Sequence, residues 1–179
     1  MAGINRANPL NESLAKSRTS QPCIFLSHIS IDKKIAVAIA EYIRVQGSLD
    51  IYLDIYDEVL QSAVHEGDPE KITAFIEKGI NVSSHLMCLV SENTVESWWV
   101  PYEIGFAKKG DKEISTLTLK NTVTLPAFLE IGVVLTGTKS LNAYLKAIDT
   151  SKQLFESIAK QLIPHTQKHP LDDYLHWDE

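Results

Sequence analysis

Short runs of unbroken apolar residues alternate along this chain with longer stretches whose apolar positions recur every three to four residues. Cys23-Ile24-Phe25-Leu26 is the first such run, bounded by Pro22 and Ser27, the pattern of a strand buried on both faces. After the loop Ser27 to Ile31, the residues Ile35, Ala36, Ile39, Ala40 and Ile43 fall at helical spacing. Asp32 is placed to cap that helix, which runs to about Gln46, and Gly47 suits the position just past its end. Ile51 to Tyr56, rich in β-branched and aromatic residues, reads as a second strand. Asp57 to Pro69 reads as a long connection. Asp68 and Pro69 then suit the cap and first position of a helix that carries Ile72, Phe75 and Ile76 on one face and stops at Gly79. Leu86 to Val90 is a third strand, and Ser91 to Ser97 a loop. The next helix reaches Lys109 and ends at Gly110; a fourth strand covers Ile114 to Leu119. Between Val123 and Leu135, two apolar pieces fit either strands or extended loops. Ser140 to Ala147 and Ser151 to Leu162 have helical spacing, and Pro164 ends the core.

Strand and helix therefore alternate, and the strands are continuous apolar runs. This predicts an α/β, flavodoxin-like, doubly wound parallel sheet of about five strands with helices on both faces. Residues 1–20 are polar and predict a mobile arm with a short irregular helix over Leu10 to Ala15. Residues 21–163 hold the folded domain, and residues 164–179 form an acidic tail closed by Trp177. A length of 179 residues with 44% hydrophobic and 22% charged content supports one ordinary globular core. The net charge of −6 argues against a nucleic-acid surface. Cys23 and Cys88 sit in apolar runs and form no CxxC pair, so they predict reduced core residues, no zinc site and a cytoplasmic location. No N-terminal apolar segment suggests a signal peptide, and no apolar run approaches the ~18 residues that span a bilayer.

Doubly wound sheets bind ligands beyond the carboxyl ends of their strands. The loops there are Ser27 to Ser30, Asp54 to Gly67, and Ser91 to Glu103. The last of these contains Ser97-Trp98-Trp99-Val100-Pro101-Tyr102-Glu103, with two of the three Trp in the chain. Ser97 suits an N-cap and Pro101 a first turn. Trp99 and Glu103 are four apart and share one helix face; an indole beside a carboxylate offers an apolar wall and a charge that stabilises a cation. Trp98 points a third of a turn away and reads as a packing residue, and Tyr102 likewise. His65, His165, His169 and His176 read as solvated, His85 as structural, and Asp57 and Glu58 as surface charge. No GxGxxG or GxxxxGK[ST] follows any strand, so neither a dehydrogenase-type nucleotide fold nor a P-loop is supported.

Four segments in this order resemble the Toll/interleukin-1 receptor (TIR) domain family. They are Phe25-Leu26-Ser27-His28 with Asp32-Lys33; Tyr52-Leu53-Asp54; Gly67-Asp68 with Ile72 and Ile76; and Ser91 with Trp99-Val100-Pro101-Tyr102-Glu103, the WxxxE pattern of bacterial members. The resemblance covers residues 22–120 and looks like a stand-alone prokaryotic member. It implies an enzyme that breaks the nicotinamide–ribose bond of NAD⁺, giving ADP-ribose or a cyclic ADP-ribose signal, with NAD⁺ as substrate, no further cofactor and no metal. It assigns Glu103 as the catalytic carboxylate and Trp99 as the pocket aromatic, with Ser27, His28, Asp54 and Gly67 around the nucleotide. His28 stands where Tyr is commoner, and Ile29 where several active members carry Arg. The resemblance further implies self-association, a downstream effector that senses the nucleotide product, a role in anti-phage immunity, and no nucleic-acid or membrane partner.

The chemistry fits a lone Glu. Loss of nicotinamide leaves an oxocarbenium-like ribose; a carboxylate beside it stabilises that charge and activates an acceptor. Nicotinamide departs neutral, so no general acid is needed. Two other readings accompany this one: a non-catalytic TIR scaffold working through homotypic contacts, and a nucleoside deoxyribosyltransferase-like enzyme, also doubly wound and using a Glu on ribose. Nicotinamide release from NAD⁺ separates the first, and turnover of deoxynucleosides the second.

Overall fold

The first apolar run forms strand β1 (Cys23–Ser27), every residue of which is buried. The computed structural model describes residues 2–120, 124–150 and 168–177. In it β1 pairs in parallel with β2 (Asp50–Tyr52) on one side and β3 (His85–Val90) on the other. Beyond β3 lie β4 (Glu113–Thr118) and β5 (Val133–Leu135), so the sheet is all-parallel in the order β2-β1-β3-β4-β5. Parallel neighbours cannot be joined by tight turns; α-helices lie in the crossovers from β1 to β2, β2 to β3 and β3 to β4, and a 3-10 turn among the described residues between β4 and β5. The helices are α1 (Glu12–Ser17), α2 (Lys33–Val45), α3 (Glu58–Glu66), α4 (Pro69–Asn81), α5 (Trp99–Lys109) and α6 (Thr138–Thr150). The expected doubly wound α/β architecture is the one observed. None of the helices among the described residues is long and apolar enough to cross a membrane.

The period of two along each strand sorts the core into two layers. Ile24 and Leu26 of β1, with Met87, Leu89 and Leu117, face Ala36, Ile39 and Ile43 of α2 and Leu141 and Leu145 of α6. Cys23 and Phe25, with Leu86, Cys88 and Val90, face Ile76 and Ile80 of α4 and Val100, Ile104 and Ala107 of α5. Both cysteines are free and buried, and burial pushes each thiol up to about 12. Inert thiols are the consequence.

Several elements differ from the sequence reading. Residues 57–69 are not an open connection: α3 occupies most of them, with Leu60 and Ala63 buried. Asp57, read as surface charge, is buried; it accepts the Leu60 amide at 3.1 Å and the Tyr52 hydroxyl at 2.6 Å. The second strand stops at Tyr52, and a 3-10 turn over Asp54–Tyr56 follows. Helix α4 continues past Gly79 to Asn81, because Gly79 is a point of close approach and not a stop. A Cβ there would stand 2.5 Å from Tyr52 and 2.9 Å from Phe25, two rings stacked 5.7 Å apart. The region left open between Val123 and Leu135 yields a 3-10 turn, Ala127–Leu129, and strand β5. The helix read over Ser151 to Leu162 lies outside the described residues.

The N-terminal segment, read as a mobile arm, is tied down. Asn5 forms a parallel bridge to Ile51 on the outer edge of β2. Asp50, fully buried at its side chain, pairs with Arg6 at 3.0 Å and Arg18 at 2.7 Å and accepts the Ile4 amide at 3.1 Å. The described part of the tail packs on the core as well. Leu171 and Leu175 join the α2/α6 layer, and the carbonyls of Tyr174 and His176 accept the amides of Lys120 and Thr138. His169 is accordingly not solvated: it is 2% exposed, its ring lies 4.7 Å from Tyr42, and burial lowers its pKa.

Two outcomes follow for equilibrium unfolding in denaturant. Gly79→Ala destabilises the protein by about 1–3 kcal/mol, since the methyl group overpacks two rings that cannot retreat. Arg6→Ala costs about 2–4 kcal/mol, because it strips one of two cations from a buried carboxylate.

Candidate active site

The polar residues that converge do so where β1 and β3 end side by side, the point at which the chain turns from one half of the sheet to the other. Ser27 closes β1. Helix α5 follows β3 after a loop with a 3-10 turn over Thr94–Glu96; Trp98 stands at its N-cap position without a side-chain cap, and the Ser97 hydroxyl just before it accepts the Val100 amide at 3.2 Å. Pro101 fits the first turn, where its missing N–H has no partner to lose. The face of α5 that carries Val100, Ile104 and Ala107 is buried, and Glu103 lies on that same face.

Glu103 is 5% exposed. Burial pushes its carboxyl up to about 8; the negative charge of Asp54 adds to the rise, and a hydrogen bond with the Ser27 hydroxyl opposes it. Its Oε2 is buried with no hydrogen-bond partner. A carboxylate desolvated this far, with one oxygen unanswered, is a costly arrangement that a purely structural helix has no use for.

Asp54 comes from the loop after β2, at the start of the 3-10 turn. Burial raises its pKa, and the field of His28 opposes that rise. Its Oδ1 is a second buried oxygen without a hydrogen bond, 3.8 Å from His28 Nδ1. The same His28 nitrogen lies 3.3 Å from the Leu26 carbonyl, which orients the ring. The structure thus brings four of the six expected residues, Ser27, His28, Asp54 and Glu103, into one electrostatic cluster.

The other two stand apart from it. Trp99, 40% exposed, turns its ring edge-on to Tyr102 at 6.0 Å, and Tyr102 stacks in turn on Phe106 at 6.4 Å. Gly67 makes the turn between α3 and α4 with φ of +67°, a left-handed backbone that favours glycine; nothing lies within 4 Å of its Cβ position. Trp98, read as packing, is 92% exposed. Tyr102 donates its hydroxyl to Glu77 and so ties α5 to α4. Two cavities of about 320 and 780 Å³ lie against the N-terminal segment, and none of the four clustered residues lines either. Among the described residues no group of three or more His, Cys, Asp or Glu is placed to share a metal ion.

Sequence reasoning missed the role of Asp32. It makes no side-chain cap on α2. Its carboxylate instead accepts the Ser91 hydroxyl at 2.6 Å, across the gap between the loops that follow β1 and β3. The available signal was Ser91, a polar residue directly after an apolar strand.

Comparison with known families places the TIR domain model over residues 24–163. That span extends well past Leu119, where recognisable motifs end, and takes in β5 and α6. No curated protein matches the chain significantly. The all-parallel sheet, the segments around Ser27, Asp54 and Glu103, and a match over most of the length agree: this chain belongs to the TIR domain family.

Proposed function

We propose that this TIR domain cleaves the nicotinamide–ribose bond of NAD⁺. The observation that carries the reading is Glu103: a carboxylate buried at the strand ends, with Oε2 unpartnered and Asp54 beside it. Two neighbouring carboxyl groups, with the His28 ring beside Asp54 alone, suit a substrate that brings its own positive charge. NAD⁺ does so twice. Its pyridinium is cationic at the start, and the ribose carries the charge as the C1′–N bond breaks, when the bonding pair returns to the ring nitrogen and neutralises it. Water then attacks C1′ and gives its proton to Glu103, or a hydroxyl or base nitrogen of the same nucleotide attacks and closes a ring. The first path yields ADP-ribose, the second a cyclic isomer fit to signal to a downstream effector, including in anti-phage defence.

In this reading Glu103 is the catalytic residue, and the Ser27 hydroxyl favours its ionised form. Asp54 and His28 contact the ribose, and Trp99 closes the rim over nicotinamide. Trp98, 92% exposed on the same helix end, favours self-association: a large apolar ring left in water marks a contact surface. Another copy seated there completes the rim, and activity then falls on dilution.

The test is nicotinamide release from NAD⁺ by purified protein, followed chromatographically at concentrations that permit assembly. Wild-type protein releases nicotinamide, and Glu103→Gln lowers kcat at least about 10³-fold with its fold unchanged. Full turnover by a folded Glu103→Gln protein sinks the reading. The active form is the carboxylate, so kcat/KM rises with pH and levels off above about 8.

The same variant reports on burial independently of activity. Glu103 titrates near 8 folded, against 4.5 for a free carboxyl. The folded state therefore holds a proton that the unfolded chain releases, and stability falls as pH rises through that window, by up to about 5 kcal/mol. Glu103→Gln escapes this loss. Its melting temperature exceeds that of wild type above pH 8, and the gain disappears near pH 4.5.

A further inference from the structure

Asp32 is 6% exposed, Ser91 9% and Thr94 1%. No Lys, Arg or His among the described residues pairs with the Asp32 carboxylate; what it holds is the Ser91 hydroxyl, at 2.6 Å. Ser91 is the first residue after β3. Its own amide donates to the Thr94 hydroxyl at 2.9 Å, and the Asn93 amide donates to the Ser91 hydroxyl at 3.3 Å. The Thr94 amide returns to the Ser91 carbonyl at 3.1 Å, and the Ser97 amide donates to the Thr94 carbonyl at 3.0 Å. The Ser97 hydroxyl then accepts the Val100 amide of α5. An unbroken hydrogen-bonded chain thus runs from the loop after β1, through Asp32, Ser91, Thr94 and Ser97, into the first turn of α5. Glu103 lies one turn further on.

We propose that Asp32 is a positioning residue for Glu103: its buried carboxylate clamps the β3–α5 loop through Ser91 and so fixes where α5 presents Glu103 to Ser27 and Asp54. The inference rests on the NAD⁺-cleaving reading. A short hydroxyl–carboxylate bond is stronger and better directed than a neutral one. That justifies a charge in a place where burial alone disfavours it. The site also needs precision. Glu103 is set between the Ser27 hydroxyl and the Asp54 carboxylate with its Oε2 left without a hydrogen bond, and an error of about 1 Å between a catalytic group and its target costs on the order of 10²-fold in rate.

The test compares Asp32→Asn, Ser91→Ala and Ser91→Thr in the full chain, well below each variant's melting temperature. Positioning predicts that Asp32→Asn and Ser91→Ala lower kcat about 10- to 100-fold while KM changes less than about threefold. It also predicts that Ser91→Thr, which keeps the hydroxyl, stays within about threefold of wild type, and that the Asp32→Asn/Ser91→Ala double variant is no worse than the weaker single. Amide hydrogen exchange at residues 97–103 speeds up at least about tenfold in both weakened variants, with β1 and β3 unchanged. A merely stabilising contact lowers the melting temperature and leaves kcat and that local exchange alone. If Asp32→Asn fails to fold, Ser91→Ala carries the comparison, since it removes the same bond and leaves the carboxylate in place. Wild-type kcat in folded Ser91→Ala, with Glu103→Gln inactive, overturns the inference and spares the reading. No nicotinamide release from wild type at any concentration fells the reading and the inference with it.

Discussion

The burial of one carboxylate governs how this molecule is put together. Glu103 sits on the inner face of α5 among residues that belong to the apolar core. An exposed Glu tolerates a helix that shifts or frays; a Glu at 5% exposure does not. Its desolvation must be offset by the Ser27 hydroxyl on one side and held against the repulsion of Asp54 on the other. Those partners come from separate loops, so the loops have to be rigid. The fold meets that demand with a fully buried β1, the Ser97 hydroxyl on the first turn of α5, and the Asp32–Ser91 bond between the loops that follow β1 and β3. A buried carboxyl with one oxygen left without a hydrogen bond, next to a second acid, conflicts with the ordinary rule that polar groups inside are satisfied, and such conflicts gather at functional sites.

The rest of the core serves the same constraint at longer range. The outer edge of β2 is covered by the N-terminal segment, pinned by Asp50 to Arg6 and Arg18. That edge therefore offers no free strand to another chain. At the opposite edge, β5 leaves Val133 and Val134 exposed. The sheet is thus closed next to the loop that supplies Asp54 and open on the far side from it. Anchoring β2 matters to the site because a single residue, Leu53, separates the end of that strand from Asp54. Gly79 acts from below: its bare backbone lets α4 lie against the stacked Phe25 and Tyr52, the strand residues that bring the chain to Ser27 and Asp54.

Local pattern made the architecture legible, and nonlocal partnership hid the rest. Strands and helices were readable because each apolar run states its own periodicity. The loops that carry Asp54 and Glu103 and follow Ser27 were readable because strand order brings them to one edge; the residues within them were picked out by the family resemblance. Asp32, Asp50 and Asp57 were not readable. Each is an acid whose meaning depends on a partner elsewhere in space: Ser91, 59 residues on; Arg6, 44 back; and the Tyr52 hydroxyl beneath it. In sequence Asp32 looks like a cap and Asp57 like a surface charge, and nothing singles out Asp50. Helix α3 was missed for a related reason. It buries mainly Leu60 and Ala63, too few to impose a period on so short a stretch. Trp98 and Trp99 pose the reverse problem: neighbours of one type, which helical geometry sends to different surroundings, one into solvent and one against the Tyr102 ring.

On the proposed reading, the raised pKa of Glu103 and the charge of the substrate are two sides of one device. In the empty site Glu103 holds its proton up to about pH 8, because an ionised carboxylate beside Asp54 in a poorly solvated pocket is unfavourable. A pyridinium entering the pocket reverses that balance: an adjacent cation favours the ionised form and drives the proton off. Substrate binding thereby produces the very carboxylate that the transition state requires. Once the C1′–N bond breaks and the departing ring becomes neutral, the positive charge passes to the ribose, nearer to Glu103, so the carboxylate stabilises the transition state more than the ground state. That difference is what accelerates a reaction. It also explains why a second acid next to Glu103 is an asset: Asp54 keeps the field negative while the positive charge moves.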